Sequence, residues 1–340
     1  MKVLIVGSHE KFAIENFYMK YLKVLGVDIH RFSAQSIFYG YYDASIVNKV
    51  LYKLGLSSIY QKINGQFKQV VAELEPEIIW VFKGMEILPE SLIWAKQRGI
   101  KLANYNPDNP FVFSGKGSGN SNVTKSIDLY DLHFTYNLEI QAELEQKHKA
   151  KTSFLPFAYD VSPDWYEECA KEAEVVKACF LGNPDKRRAD FILQLADNGV
   201  KMDVYGHNWE RFISHPNIVV CPPVYEAELW KTLRKYRVQL NLMRIHNENS
   251  HNMRSFEIPG IGGIQVAPFT IEHQTFFEDG KEVFLYKNLD ECVAKINYIL
   301  ALSPKKASDF RHFARQASLL NKHSYKDRSV QVVKALTSLK

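Results

Sequence analysis

The chain alternates short apolar runs with longer segments of mixed polarity. "KVLIVG" (2–7) sets four apolar residues in a row and closes on a glycine. "PEIIWVFKG" (76–84), "IKLANYN" (100–106), "LYDLHFTYN" (129–137) and "KTSFLPFA" (151–158) repeat the pattern. Runs of this length without polar alternation predict strands buried on both faces of a parallel sheet. The stretches between them read as helices, and strand alternating with helix predicts an α/β domain. A polar stretch, "PDWYEECAKEAEV" (163–175), interrupts the series and reads as a linker or bridging helix. A second series begins at "KACFLGN" (177–183). It continues through "KMDVYG" (201–206), "NIVVCPPV" (217–224), "VQLNLM" (238–243), "GGIQVAP" (262–268) and "EVFLYKN" (282–288). Residues 305–340 read as helical. The expected organisation is one Rossmann-like domain over 1–162, a second over 163–315, and a final helix over 316–340.

Bulk properties narrow the classes. A chain of 340 residues is too long for one ordinary core and suits two. With 46% hydrophobic and 13% aromatic residues, it is not a disordered protein. The net charge of +5 is too mild to argue for nucleic acid. The charge is uneven, however: residues 305–340 hold nine Lys/Arg against two Asp, a net of +7. This reads as a solvated helix face or as a surface that meets an anionic lipid or substrate. The four cysteines show no CxxC spacing and read as reduced, buried thiols of a cytoplasmic protein. "MKVLIVGSHE" does not read as a signal peptide, and no window approaches a membrane span.

Ligands of parallel sheets bind outside the carboxyl ends of the strands, so the candidate chemistry lies just after strands. "GSHEKF" (7–12) is not the GxGxxG dinucleotide fingerprint. It places His9 and Glu10 as candidates for a catalytic base, although a helix start also attracts an acid through the dipole alone. Asp108 in "NYNPDNPF" (104–111) is a turn residue by default and a third candidate. The glycines of "SGKGSGN" (114–120) read as a mobile loop, since GK[ST] is missing. The aromatic segment 32–67, with Lys49, Lys53 and Lys62, reads mainly as core. Its other reading is an acceptor or membrane-surface patch. "FLGNPDKRR" (180–188) offers Gly182 for close backbone approach and Arg187 or Arg188 for a diphosphate.

"LMRIHNENSHNMRSFEIPGIGGIQVAP" (242–268) concentrates the most chemistry. A strand end leads through amides, hydroxyls and histidines into a helix near Arg254, which reads as an anion site. Glu257 lies about one turn in and is placed to accept bonds from ribose hydroxyls. The Gly/Pro turn after it reads as room for backbone to approach a ligand.

These residues, in this order, resemble the CgeB-type glycosyltransferases, a spore-maturation-protein-like branch of the GT-B enzymes. The resemblance rests on "PEIIWVFKG", "NYNPDNP", "FLPFAYD", "VYGHNW", "VQLNLMR", "FFEDGKEV" and, most specifically, "NMRSFEIPGIGG" and "HSYKDR" (323–328). It implies an α/β GT-B fold, with two Rossmann-like doubly wound parallel-sheet domains facing a central cleft and the last helix returning to the first domain. It also implies an acceptor held by the first domain, where His9, Glu10 and Asp108 are the candidates, from their positions after strands, for contacting or deprotonating it. It implies a nucleotide sugar held by the second domain, with Glu257 matching the family's ribose-binding glutamate; the donor-side candidates read from the residues themselves are Gly182, Asn183, Arg187, Arg188, Gly206, His207, Val224, His251, Asn252, Arg254 and Gly260, of which Arg254, His251 and Arg187 or Arg188 are expected to steady the diphosphate. Many retaining enzymes of this fold carry a second glutamate eight residues before the ribose-binding one; here that position is Asn249. No DxD occurs, so no metal site is expected, and helix ends and Arg/Lys are expected to meet the diphosphate instead.

The expected activity is metal-independent transfer of a sugar from a UDP-, GDP- or dTDP-linked donor, with no cofactor, to a glycan, lipid-linked or protein acceptor. Peripheral contact with the inner membrane face is part of that expectation. The rivals are a GT-B sugar-nucleotide 2-epimerase and a non-catalytic nucleotide-sugar-binding or coat-assembly module.

Overall fold

The computed structural model describes residues 1–113 and 118–339. Residues 114–117, the first four of the glycine-rich stretch at 114–120, lie outside the described residues. The chain divides into two compact units, Met1–Pro156 with Tyr325–Lys340, and Phe157–Ser324.

The first unit holds six strands: β1 (Lys2–Val6), β2 (Asp28–Phe32), β3 (Ile78–Phe82), β4 (Lys101–Tyr105), β5 (Leu132–Thr135) and β6 (Thr152–Phe154). They form one sheet in the order β2-β1-β3-β4-β5-β6, every pair parallel. β3 is buried at all five positions, as its unbroken apolar run requires. β2 has no counterpart in the apolar-run pattern. Its sequence "DIHRF" is polar at three of five positions, because an edge strand buries only Ile29 and Phe32. The helix Tyr325–Thr337 packs on the helix Ile14–Val24, where Tyr325 stacks on Phe17 with ring centroids 4.7 Å apart.

The second unit holds β7 (Val175–Leu181), β8 (Met202–Tyr205), β9 (Ile218–Cys221), β10 (Tyr236–Leu240), β11 (Gln265–Pro268) and β12 (Phe284–Tyr286). Their order is β12-β11-β10-β7-β8-β9, again parallel throughout. The chain builds outward from β7 in one direction and from β10 in the other. The point between them is the topological switch of a doubly wound sheet.

The unit boundaries fall elsewhere than at 162 and 315. Residues 157–162 join the second unit because the Phe157 amide donates to His251 at 3.2 Å and the Tyr159 ring sits against Gly260. The segment 163–175 is not a linker. It opens with the helix Pro163–Ala170, capped by Ser162, which buries Cys169 completely. Residues 316–320 complete the helix Pro304–Leu320, which is pinned to the second unit through Arg311 and Arg315. All four cysteines are free; Cys221 on β9 is half-buried and the others are buried.

Candidate functional site

In the second unit the loop after β7 enters the helix Lys186–Asp197, whose cap is Asp185, accepting the Arg188 amide at 3.0 Å. The Arg188 guanidinium turns inward. It donates to the Asn183 carbonyl at 3.1 Å and to the Leu242 carbonyl at 2.7 Å. It therefore joins the loop after β7 to the segment after β10, across the switch point. Burial lowers its pKa to about 10, with Asp185 acting in the opposite direction. Arg187, by contrast, is exposed and forms a two-bond pair with Glu248, at 2.9 and 2.6 Å. Beside them a cavity of about 330 Å³ opens past the ends of β10, β11 and β12. Arg187, Arg188, Arg244 and Lys287 line it against one carboxylate, Glu248.

The glycines here serve packing. A Cβ on Gly206 would lie 2.2 Å from the Gly182 carbonyl oxygen, which itself accepts the Trp209 indole at 2.8 Å. A Cβ on Gly260 would lie 2.6 Å from the Tyr159 ring, and one on Gly263 would lie 2.8 Å from the Leu233 carbonyl. The Gly/Pro turn after Glu257 is thus filled by protein, and the expected room for a ligand's approach is not there. Asn183 is exposed, Val224 is half-buried, and His207 Nε2 meets the Tyr225 hydroxyl at 2.7 Å.

The segment 241–257 rests on two buried polar networks. In the first, His251 is fully buried. Its Nε2 accepts the Phe157 amide, so Nδ1 carries the proton and donates to Glu272 at 2.5 Å. The Ser250 hydroxyl donates to the same Glu272 oxygen at 2.5 Å. His251 therefore fastens the loop from beneath, and the expected direct contact with a diphosphate gives way to that role. In the second, Asn252 receives the Ser255 amide at 3.1 Å and donates to Asn241 at 2.9 Å. The Ser255 hydroxyl donates to His273 Nε2 at 2.8 Å, since His273 Nδ1 donates to the Pro268 carbonyl at 3.0 Å. Burial pulls the His273 pKa down to about 4. Above these networks, the helix Arg254–Gly260 carries Glu257, only 5% exposed, in an ion pair with Arg254 one turn earlier. The pair offsets the desolvation of the carboxylate.

In the first unit the switch point lies between β1 and β3. His9 is exposed, and its Nδ1 accepts from Arg31 at 2.7 Å. Asp108 pairs with Lys83 at 2.5 Å. Glu10 is one wall of a cavity of about 370 Å³ whose deeper walls include Glu15, Glu86 and Lys83. None of these three was singled out from the motifs. Glu15 accepts the Ser8 amide at 2.8 Å, and Gly7 leaves it space, since a Cβ there would lie 2.3 Å from the carboxylate. Burial raises the Glu86 pKa to about 7, with Lys83 opposing and Glu15 adding to the rise. The rule that found Glu10 also applies to "FKGME" after β3, where Lys83 and Glu86 stand.

Residues 187–334 match the family described as glycosyl transferase-like. No curated protein matches the chain. Solved structures match it over its whole length. Sucrose-phosphate synthase from Thermosynechococcus elongatus has 12% identity and a TM-score of 0.68, covering 100% of this chain and 99% of its own. HepE from Anabaena, solved with UDP-glucose, has 12% identity and a TM-score of 0.66, covering 99% and 100%. The Listeria monocytogenes protein described as a UDP-N-acetylglucosamine 2-epimerase has 10% identity and a TM-score of 0.57, covering 99% and 96%. At these identities the likeness is one of fold, and that fold serves both a synthase and an epimerase. The chain is an α/β protein of the GT-B fold in which residues 187–334 match the glycosyl transferase-like family.

Proposed function

We propose that the protein transfers a sugar from a nucleoside-diphosphate sugar to an acceptor, with the donor diphosphate at the basic cavity of the second unit. The observation that carries this reading is the cavity itself. Four cations face one carboxylate, already paired, outside the carboxyl ends of a doubly wound sheet, within the segment that matches the glycosyl transferase-like family. Arg187, Arg244 and Lys287 meet the diphosphate and stabilise charge on the leaving group, Arg188 holds the two loops in register, and Glu257 receives the ribose hydroxyls. In this reading the reaction proceeds without a divalent metal, which is supported by a sequence without DxD and by the arginines that line the cavity.

Titration calorimetry with UDP, GDP and dTDP, with and without EDTA, tests the binding step. One diphosphate is expected to bind equally well in both conditions and to lose at least tenfold in affinity in Arg244→Ala. Incubation with the matching sugar nucleotide then separates transfer from 2-epimerisation, because only the epimerase changes the donor sugar without an acceptor.

Peripheral contact with an anionic membrane face belongs to the same reading, through residues 46–56 rather than the basic tail. Ile46, Val47, Leu54 and Leu56 are 80%, 65%, 65% and 70% exposed beside Lys49 and Lys53. In the tail, Arg311 and Arg315 are buried and unavailable to a lipid. Among the described residues no helix is long and apolar enough to cross a membrane.

A further inference from the structure

The helix Arg254–Gly260 is held at both ends. The Ser255 amide donates to Asn252 at 3.1 Å and the Ser255 hydroxyl to His273 at 2.8 Å. At the far end the buried Arg315 donates to the Gly260 carbonyl at 2.6 Å. These bonds fix the backbone that carries Glu257 and leave its side-chain torsions free. Arg254 removes that freedom, with Nη1 donating to Glu257 Oε2.

The relation is exclusive in both directions. Among the described residues no other residue donates to the Glu257 carboxylate, and the Arg254 guanidinium bonds to no other group. Its Nε is buried and meets no acceptor. The other inward-facing arginines of this unit behave differently. Arg188, Arg237, Arg311 and Arg315 each donate to a backbone carbonyl distant in the chain, and so fasten the fold. Arg254, with 27% of its side chain exposed, fastens no second element.

We infer that Arg254 is a positioning residue for nucleotide recognition: it holds Glu257 in the orientation from which Oε1 accepts a ribose hydroxyl, and it does not bind the diphosphate. The inference rests on the reading of Glu257 as the ribose acceptor. An ionised carboxylate accepts at both oxygens. With Oε2 taken by Arg254, Oε1 is left for the ligand. A group locked before the ligand arrives loses less freedom on binding, and the saving appears as affinity and specificity. The pair also keeps a nearly buried carboxylate from standing alone. A diphosphate that drew Arg254 away would strip Glu257 of that partner, so the diphosphate is left to Arg187, Arg244 and Lys287.

The test is calorimetry of the full chain with UDP against 2′-deoxy-UDP and GDP against 2′-deoxy-GDP, the tighter-binding pair being carried through the variants. Wild-type protein is expected to prefer the ribose form. Arg254→Met is expected to cut that preference about fivefold or more, by weakening the ribose form. Arg254→Lys is expected to keep it within about twofold of wild type, because the pair uses one donor that an ammonium can replace. In the Glu257→Gln background, Arg254→Met is expected to change the preference by less than about twofold, since the two residues act as one unit. A merely structural loss lowers both affinities and leaves their ratio unchanged. Equal weakening of both forms by Arg254→Met, with the preference intact, assigns Arg254 to the diphosphate and overturns the inference. A preference lost as fully in Arg254→Lys as in Arg254→Met, or lost further in the Glu257→Gln background, overturns it as well. If Arg254→Met does not fold, Arg254→Gln takes its place with the same expected outcomes. Wild-type protein that binds a diphosphate without ribose preference overturns the inference and leaves the basic cavity's role standing, whereas wild-type protein that binds no nucleoside diphosphate sinks both.

Discussion

Arg188 donates to the Leu242 carbonyl at 2.7 Å, a bond between residues 54 positions apart that ties the segment after β10 to the helix after β7. Its second branch holds Asn183. Replacing it by Met keeps the apolar stem and removes both donors. Hydrogen bonds to a charged group are worth about 1.5–3 kcal/mol each, so Arg188→Met is expected to lose at least that much stability in urea unfolding. Nucleoside-diphosphate affinity should fall with it, because both walls of the basic cavity loosen. Unchanged stability would show that the clamp does not hold the loops.

His251→Ala separates a ligand contact from an internal fastening. Removing one partner of a buried pair typically costs about 3–5 kcal/mol, here by taking from Glu272 the bond that His251 donates. The expected result is a lower melting temperature with nucleotide affinity of the folded protein unchanged within twofold. A stable variant that has lost nucleotide affinity would restore the direct-contact role.

For Glu257, the informative comparison is between a ribonucleoside diphosphate and its 2′-deoxy form. Wild-type protein is expected to prefer the ribose form. Glu257→Gln is expected to erase most of that preference and to weaken the ribose form by about 1.5–3 kcal/mol, through lost charge-assisted bonds. A preference equal to that of wild type would remove the ribose assignment.

The raised pKa of Glu86 makes a signed prediction about pH. The unfolded chain releases this proton near 4.5, while the folded chain keeps it until about 7. The folded state therefore binds more protons in that window, and this group's contribution to stability falls as pH rises from 4.5 to 7, then levels off. The full change is roughly 3 kcal/mol at most. His273 and His133, both lowered to about 4 by burial, act with the opposite sign. Their stability is full above 6.5 and is lost as pH falls towards 4. The difference in unfolding free energy between Glu86→Gln and wild type isolates the first effect: the variant should gain relative stability from pH 4.5 to 7. A flat difference would remove the shift.

Liposome co-sedimentation tests the 46–56 surface. Binding to anionic vesicles is expected at low salt, less at high salt, and little to neutral vesicles. It should disappear in Ile46→Ser/Leu54→Ser/Leu56→Ser and persist in Lys322→Ala/Lys326→Ala. The reverse pattern would move the contact to the tail, and no binding in any condition would end the membrane reading.

Sequence periodicity alone determined the α/β class and most of the strands, because a parallel strand buried on both faces must be apolar throughout. It left out β2, whose edge position permits Asp28, His30 and Arg31. It also identified 242–260 as chemically dense, since polar residues collected behind a strand end are visible one after another. Only the tertiary structure decided what those residues do. His251 meets Glu272 across 21 positions, Arg188 meets Leu242 across 54, and Gly260 is required by the ring of Tyr159, far earlier in the chain. The acidic cavity of the first unit was hidden for the same reason. Glu10, Glu15, Lys83 and Glu86 come from two loops and a helix start, and become neighbours only when β1 and β3 pair side by side. Periodicity records whether a residue is buried, which is a local property, whereas the partner that decides a buried polar group's role is set by strand order.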